Sequence, residues 1–163
     1  MTEQAQAVLT LLRERGIPFD VAEHVPVYTI EELLSLHLPD AGSVAKNLFL
    51  RDDKRWNYYL LVIREEKTAD LKALRERIGA RPLSFASEND LERFLKVPKG
   101  SVTPFGVLND QERKVRVIFD ASFRGSHIGV HPNDNTATVW MQAADLADLI
   151  RDHGNPVHPA DIE

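Results

Sequence analysis

The sequence contains no cysteine. Disulfides, thiolate nucleophiles and cysteine-ligated zinc or iron-sulfur centres are therefore excluded. No apolar run approaches the roughly 18 residues of a membrane span. The leading stretch MTEQAQAVLTLLRERG has acidic and polar residues where a secretory leader places positive charge before an apolar segment. The expectation is a cytoplasmic protein that does not engage a membrane. Also missing are a Gly-x-Ser-x-Gly elbow, a dinucleotide-type glycine fingerprint and a Walker lysine loop, which disfavours serine-nucleophile chemistry and the corresponding nucleotide folds.

What is present suits one folded domain spanning residues 1–163, long enough to bury about two-thirds of the surface its unfolded chain exposes. Apolar residues make up 43% and charged residues 28%, a balance that argues against disorder. A formal net charge of −5 repels polyphosphate overall, so broad, sequence-independent nucleic-acid binding is a poor expectation. Two basic clusters can still meet a few phosphates: Lys46, Arg51, Lys54 and Arg55, then Arg64, Lys67, Lys72, Arg75, Arg77 and Arg81. Taken alone, each cluster reads first as a solvated face balanced by neighbouring Asp and Glu.

Local signals divide the chain. Thr2 is placed to cap a helix over 3–15 with Val8, Leu11 and Leu12 as its stripe and Gly16 as its stop. Residues 19–24 alternate as a strand, and Thr29 with Glu32 has capping-box spacing for a short helix reaching about His37. Two apolar runs, 44–51 and 56–63, flank a charged turn and form a hairpin. Asp70 opens a helix closed by Gly79, 83–85 is a short strand, and Ser87 opens a helix with Leu91, Phe94 and Leu95 inward. Residues 115–119 form a candidate central strand, followed by strands at 126–130 and 136–140, a helix over 143–153 and a tail read as loose. Hairpins dominate, so the fold class is α+β: a mixed, largely antiparallel curved sheet or partial barrel with helices packed outside.

Two segments rich in glycine and proline, Gly100-Ser101-Val102-Thr103-Pro104 and Gly129-Val130-His131-Pro132, can wall a site with main chain. Lys46, in Val44-Ala45-Lys46-Asn47, has apolar neighbours and must either extend to solvent or meet an anion. His24 precedes the Pro26 turn and reads as a turn residue or a site residue. His127, His131 and Asp134 offer metal donors, but Gly129 and Pro132 oppose a helix, and residues four apart on a strand stand about 13 Å apart. Neither a metal nor a cofactor is expected. What remains is a pocket whose backbone N–H groups, lysine and histidine orient an activated ester and a water.

These segments resemble the YbaK/ProX family of free-standing aminoacyl-tRNA deacylases, relatives of the editing domain inserted in bacterial prolyl-tRNA synthetases. The resemblance spans essentially the whole chain and implies hydrolysis of mischarged tRNA(Pro) in trans. It implies that Lys46 is the lysine required for deacylation, anchoring the terminal nucleotide or its phosphate, with Asn47 hydrogen-bonding beside it. It further implies that the loop Gly100, Ser101, Val102, Thr103 and Pro104 turns its amides to the ester carbonyl or ribose hydroxyl. Gly129 and His131 would line the amino-acid pocket and limit its size, while His24 and Tyr28 match the family's His-x-Pro-x-Tyr stretch near the site. The implied partners are the tRNA(Pro) acceptor end and prolyl-tRNA synthetase. A site built for proline rejects a smaller residue by only roughly 1–3 kcal/mol, so alanine is the favoured error. Cys-tRNA(Pro), or a non-catalytic module binding tRNA or synthetase, are the alternatives.

Overall fold

The computed structural model describes residues 1–27, 29–36 and 43–162. Its strands are β1 (Phe19–Glu23), β2 (Ala45–Asp52), β3 (Tyr58–Arg64), β4 (Leu83–Phe85), β5 (Val115–Asp120), β6 (His127–Val130), β7 (Ala137–Gln142) and β8 (Val157–Ala160). The helices are α1 (Glu3–Glu14), α2 (Ile30–Ser35), α3 (Leu71–Ile78), α4 (Glu88–Asp90) and α5 (Ala143–His153). A three-stranded sheet runs β1-β7-β6 and a five-stranded sheet runs β4-β2-β3-β5-β8. All pairings are antiparallel except β3 with β5 and β5 with β8. The class is the expected α+β, and the sheets do not close into a barrel.

Local chemistry sets the helix starts. The Thr2 hydroxyl accepts from the Ala5 N–H at 3.2 Å, the Asp70 carboxylate from Lys72 and Ala73, and Thr29 from Glu32 at 3.1 Å. Each satisfies an N–H that the first turn leaves without a partner. The expected extension of α2 to His37 lies outside the described residues. Ser87 and Asp90 form a full capping box at α4, but the chain then widens into a π turn over Leu91–Leu95 instead of continuing as a regular helix.

The C-terminal segment departs from its sequence reading. Rather than hanging loose, Val157–Ala160 adds a parallel strand beside β5. Asn155 secures it: its buried amide donates to the Asp110 carboxylate and to the Val115 carbonyl, each at 2.9 Å. These bonds cross 40 or more residues, so no local pattern reveals them.

Apolar packing explains the unbroken run at β3. Ala45, Phe49, Tyr58, Leu60 and Val62 face a core shared with Ile128, Val139, Phe94 and the α5 residues Leu146 and Ile150. Leu50, Tyr59, Leu61 and Ile63 face a second cluster with Leu74 of α3. A strand covered on both faces has no polar alternation to show.

Two features set β2 apart from the other strands. First, β4 pairs only with Leu50, Arg51 and Asp52. The Asp52 N–H bonds to Asn57 across the hairpin and the Phe49 carbonyl accepts from Ala86 on the other side. Alternation therefore turns the backbone of Ala45 and Asn47 to the edge that β4 leaves uncovered. Second, Val44 bridges Gly129 and joins the two sheets. A Cβ on Gly129 would lie 2.8 Å from Trp140 Nε1 and 3.1 Å from Val44 Cγ2, so this approach requires glycine.

Gly129→Ala is accordingly expected to destabilise the fold by about 1–3 kcal/mol, the usual result of forcing an extra carbon into a packed contact. Chemical denaturation checks this, and an unchanged midpoint would show that the sheets tolerate separation here.

Candidate functional site

A cavity of about 720 Å³ lies against the uncovered edge of β2. Ala45, Asn47 and Phe49 supply one wall, Gly129, Val130 and His131 another, and Ala137 with Thr138 of β7 a third. Lys99, Gly100 and Val102, together with Phe85, Ala86, Ser87, Glu88 and Leu91, complete the lining. The volume falls within the roughly 300–1,000 Å³ of small-molecule sites. It is too large for a methyl side chain alone, so any size filter occupies only part of it.

Of the residues singled out from the sequence, His24, Lys46, Asn47, Gly100, Val102, Gly129 and His131 all line this cavity. Four distant stretches of chain thus converge. Ser101, Thr103 and Pro104 are buried and are not among the lining residues. Thr103 acts from behind: its hydroxyl donates to the His131 carbonyl at 2.6 Å, tying the two glycine-bearing loops together. Tyr28 lies outside the described residues.

Lys46 is half-buried in the wall, but its ammonium donates to the main-chain carbonyl of Lys67 in the turn after β3. It sits on the sheet face of Leu48 and Leu50, opposite Asn47. Lys67 itself is fixed, its ammonium 2.7 Å from the buried Asp120 carboxylate and 2.7 Å from the Ile162 carbonyl. Other members of the basic clusters are also engaged. Arg51 pairs with Asp90 and Arg81 with Asp53, while Arg64 holds Ser122 and Ser126. Lys46 and Lys99 are the lysines that line the cavity.

Both histidines of the wall are constrained. His24 Nδ1 lies 2.8 Å from the Val25 carbonyl, which only accepts, so Nδ1 carries the proton. Nε2 then accepts from the Thr138 hydroxyl at 2.9 Å in the neutral ring. His131 is held neutral. Burial drives its pKa down to about 4, against the pull of Asp134 and with a further push from His24. Its Nδ1 and the Oδ1 of Asn47 are buried without a hydrogen-bond partner. An unpaired buried acceptor costs about 1–3 kcal/mol, so a donor that reached either would recover that energy.

The lining holds no cysteine, and Glu88, exposed at the lip, is its only carboxylate among the described residues. Among the described residues no group of three or more carboxylates or histidines is arranged to hold a metal. No described helix is long and apolar enough to cross a membrane. The family model of the aminoacyl-tRNA editing domain matches residues 24–149. The chain belongs to that family. This editing domain is thereby an aminoacyl-tRNA hydrolase. It is 46% identical over 151 residues to the prolyl-tRNA editing protein ProX of Acetoanaerobium sticklandii, with 92% of each chain covered. It is also 36% identical over 138 residues to the prolyl-tRNA synthetase associated domain-containing protein 1 of Danio rerio, covering 83% of this chain and 74% of the relative. A crystal structure described as a candidate trans-editing enzyme for prolyl tRNA synthetase superposes with a TM-score of 0.75 at 20% identity, over 100% of this chain and 98% of the other. That last likeness concerns the fold alone.

Several lining residues of the editing domain escaped the sequence reading, among them Phe85, Ser87, Leu91, Lys99 and Thr138. Only Lys99, adjoining Gly100, carried a signal.

The neutral His131 yields a pH prediction. The unfolded ring takes up a proton as pH falls below 6.5, whereas the folded ring resists until about 4. Stability is therefore lost progressively between those values, by about 3 kcal/mol at most. Asp134 stays ionised throughout, because hydrogen bonds from Thr136 and Thr2 outweigh its burial and hold it at about 2. Urea unfolding from pH 7 to 4.5 should show a smaller loss for His131→Gln than for the parent, and parallel profiles would refute a neutral buried ring.

Proposed function

We propose that this chain is a trans-editing deacylase for mischarged tRNA(Pro), with the alanyl ester as its principal substrate. The observation that carries this reading is the convergence of Lys46, Asn47, Gly100, Gly129 and His131 on one cavity. The likeness to ProX supports the tRNA. The lining suits direct attack by water on an ester that is already activated, since it offers positioning groups but no thiol.

In this reading the aminoacyl group lies on the Asn47 side of β2 and the nucleotide on the Lys46 side. Water adds to the ester carbonyl, the ribose oxygen departs with a proton, and the free amino acid and tRNA result. Main-chain N–H groups along the uncovered β2 edge and in the Gly100 loop would favour the oxyanion in this reading. Lys46 leaves the Lys67 carbonyl for the terminal phosphate, a stronger acceptor because it is charged. Part of the cavity bounded by His131 and Gly129 discriminates by size, accepting a methyl and rejecting a pyrrolidine ring. Glu88 or a ribose hydroxyl takes the proton of the attacking water.

The purified protein is expected to deacylate Ala-tRNA(Pro) at least tenfold faster than Pro-tRNA(Pro), measured by release of the radiolabelled amino acid. Equal rates would remove the size filter, and faster release of cysteine than alanine would reassign the substrate. Lys46→Ala should lower the rate by about 10- to 100-fold, as for loss of one hydrogen bond to a charged group, while leaving circular dichroism unchanged. Full activity in that variant would remove Lys46 from the mechanism.

A further inference from the structure

Phe85 is 60% exposed and lines the cavity, so its ring is open to whatever occupies that part of the cavity. It lies opposite Leu50 in the antiparallel pairing of β4 with β2, and directly paired residues share a sheet face. Leu48 and Lys46 share that face by the two-residue period of the strand. Phe85, Leu48 and Lys46 all line the cavity, while Asn47 and the other inner residues line it from the opposite face of β2. The cavity therefore wraps around the uncovered strand edge. Its inner part is walled by Ala45, Asn47, Gly129 and His131, and its outer part is an apolar shelf bounded by a lysine.

The geometry points to Phe85 as the stacking platform for the terminal nucleobase of the RNA 3′ end. The inference rests on the aminoacyl-tRNA reading of the site. A nucleobase needs a flat apolar surface and tolerates any π face, and aromatic rings on a rigid strand meet that need without hydrogen-bond readout. Lys46, two residues from Leu48 on the same face, suits the phosphate of the same nucleotide. The shelf alone would also fit an apolar side chain of a protein. Its continuity with a cavity that takes an ester on the far side of the strand favours a nucleoside joined to that ester.

Steady-state deacylation of mischarged tRNA(Pro) by Phe85→Ala, Phe85→Leu and Phe85→Tyr tests the assignment. Stacking predicts that KM rises about tenfold or more in the Ala and Leu variants, that kcat changes less than twofold, and that Tyr restores KM. Leu keeps the apolar contact, so a normal KM in Phe85→Leu together with a raised KM in Phe85→Ala would overturn stacking in favour of simple packing. Adenosine 5′-monophosphate supplies an independent probe. Its adenine H2 and H8 resonances should move upfield on adding the parent protein and not on adding Phe85→Ala. Unchanged KM, or equal shifts with both proteins, overturns the platform. Absence of deacylation by the parent on every mischarged tRNA(Pro) would instead overturn the substrate reading, and the nucleotide shifts would still decide the role of Phe85.

Discussion

A strand edge without a partner presents N–H and C=O groups that must find water, a ligand or another segment. In this fold the three-residue β4 ends the pairing of β2 at Leu50, and the next contact along that edge is the bridge from Val44 to Gly129. The stretch between is clamped at both ends and uncovered in the middle. Its other edge is fully zipped to β3, so it cannot bend to close the gap. The cavity is the consequence, and the residues lining it are held at strand precision rather than loop precision.

Charge is distributed to the same end. The chain carries a net −5, and its carboxylates neutralise many arginines and lysines locally, as at Arg51, Lys67, Arg81 and Arg93. The two lysines lining the cavity thus stand out against an acidic background. A net negative charge repels a polyanion at long range, and two lysines in the cavity wall supply local attraction where a phosphate would approach.

How far the sequence revealed this depends on the range of each interaction. Helix starts at Thr2, Asp70 and Ser87 were legible because a cap is settled within three residues. The hairpin of β2 and β3 was legible for the same reason, its tip held by Asp52 accepting from Trp56 and Asn57. The strand at 157–160 was not, because Asn155 is bound to residues 40 and 45 positions away. Lys46 shows the limit at the site. The choice posed by the sequence was solvent or an anion, and the ammonium takes a main-chain carbonyl instead, supplied by a turn that only folding brings near. Thr103 likewise belongs to the expected loop yet turns inward to hold His131. Phe85 carried no signal, since its exposure follows from the brevity of β4 rather than from its own neighbours.

The π turn over Leu91–Leu95 carries the cavity wall through Leu91. Such a turn fits one more residue into its loop of hydrogen bonds than an α-helix does. Loss of a single codon within it can be absorbed by relaxation to ordinary helical winding, with no strand register disturbed. That relaxation would rotate the residues after Leu91 relative to it and redraw the packing on that side of the chamber. The fold thereby keeps its pocket dimensions adjustable at a spot where the genetic change is small and the sheet scaffold is spared.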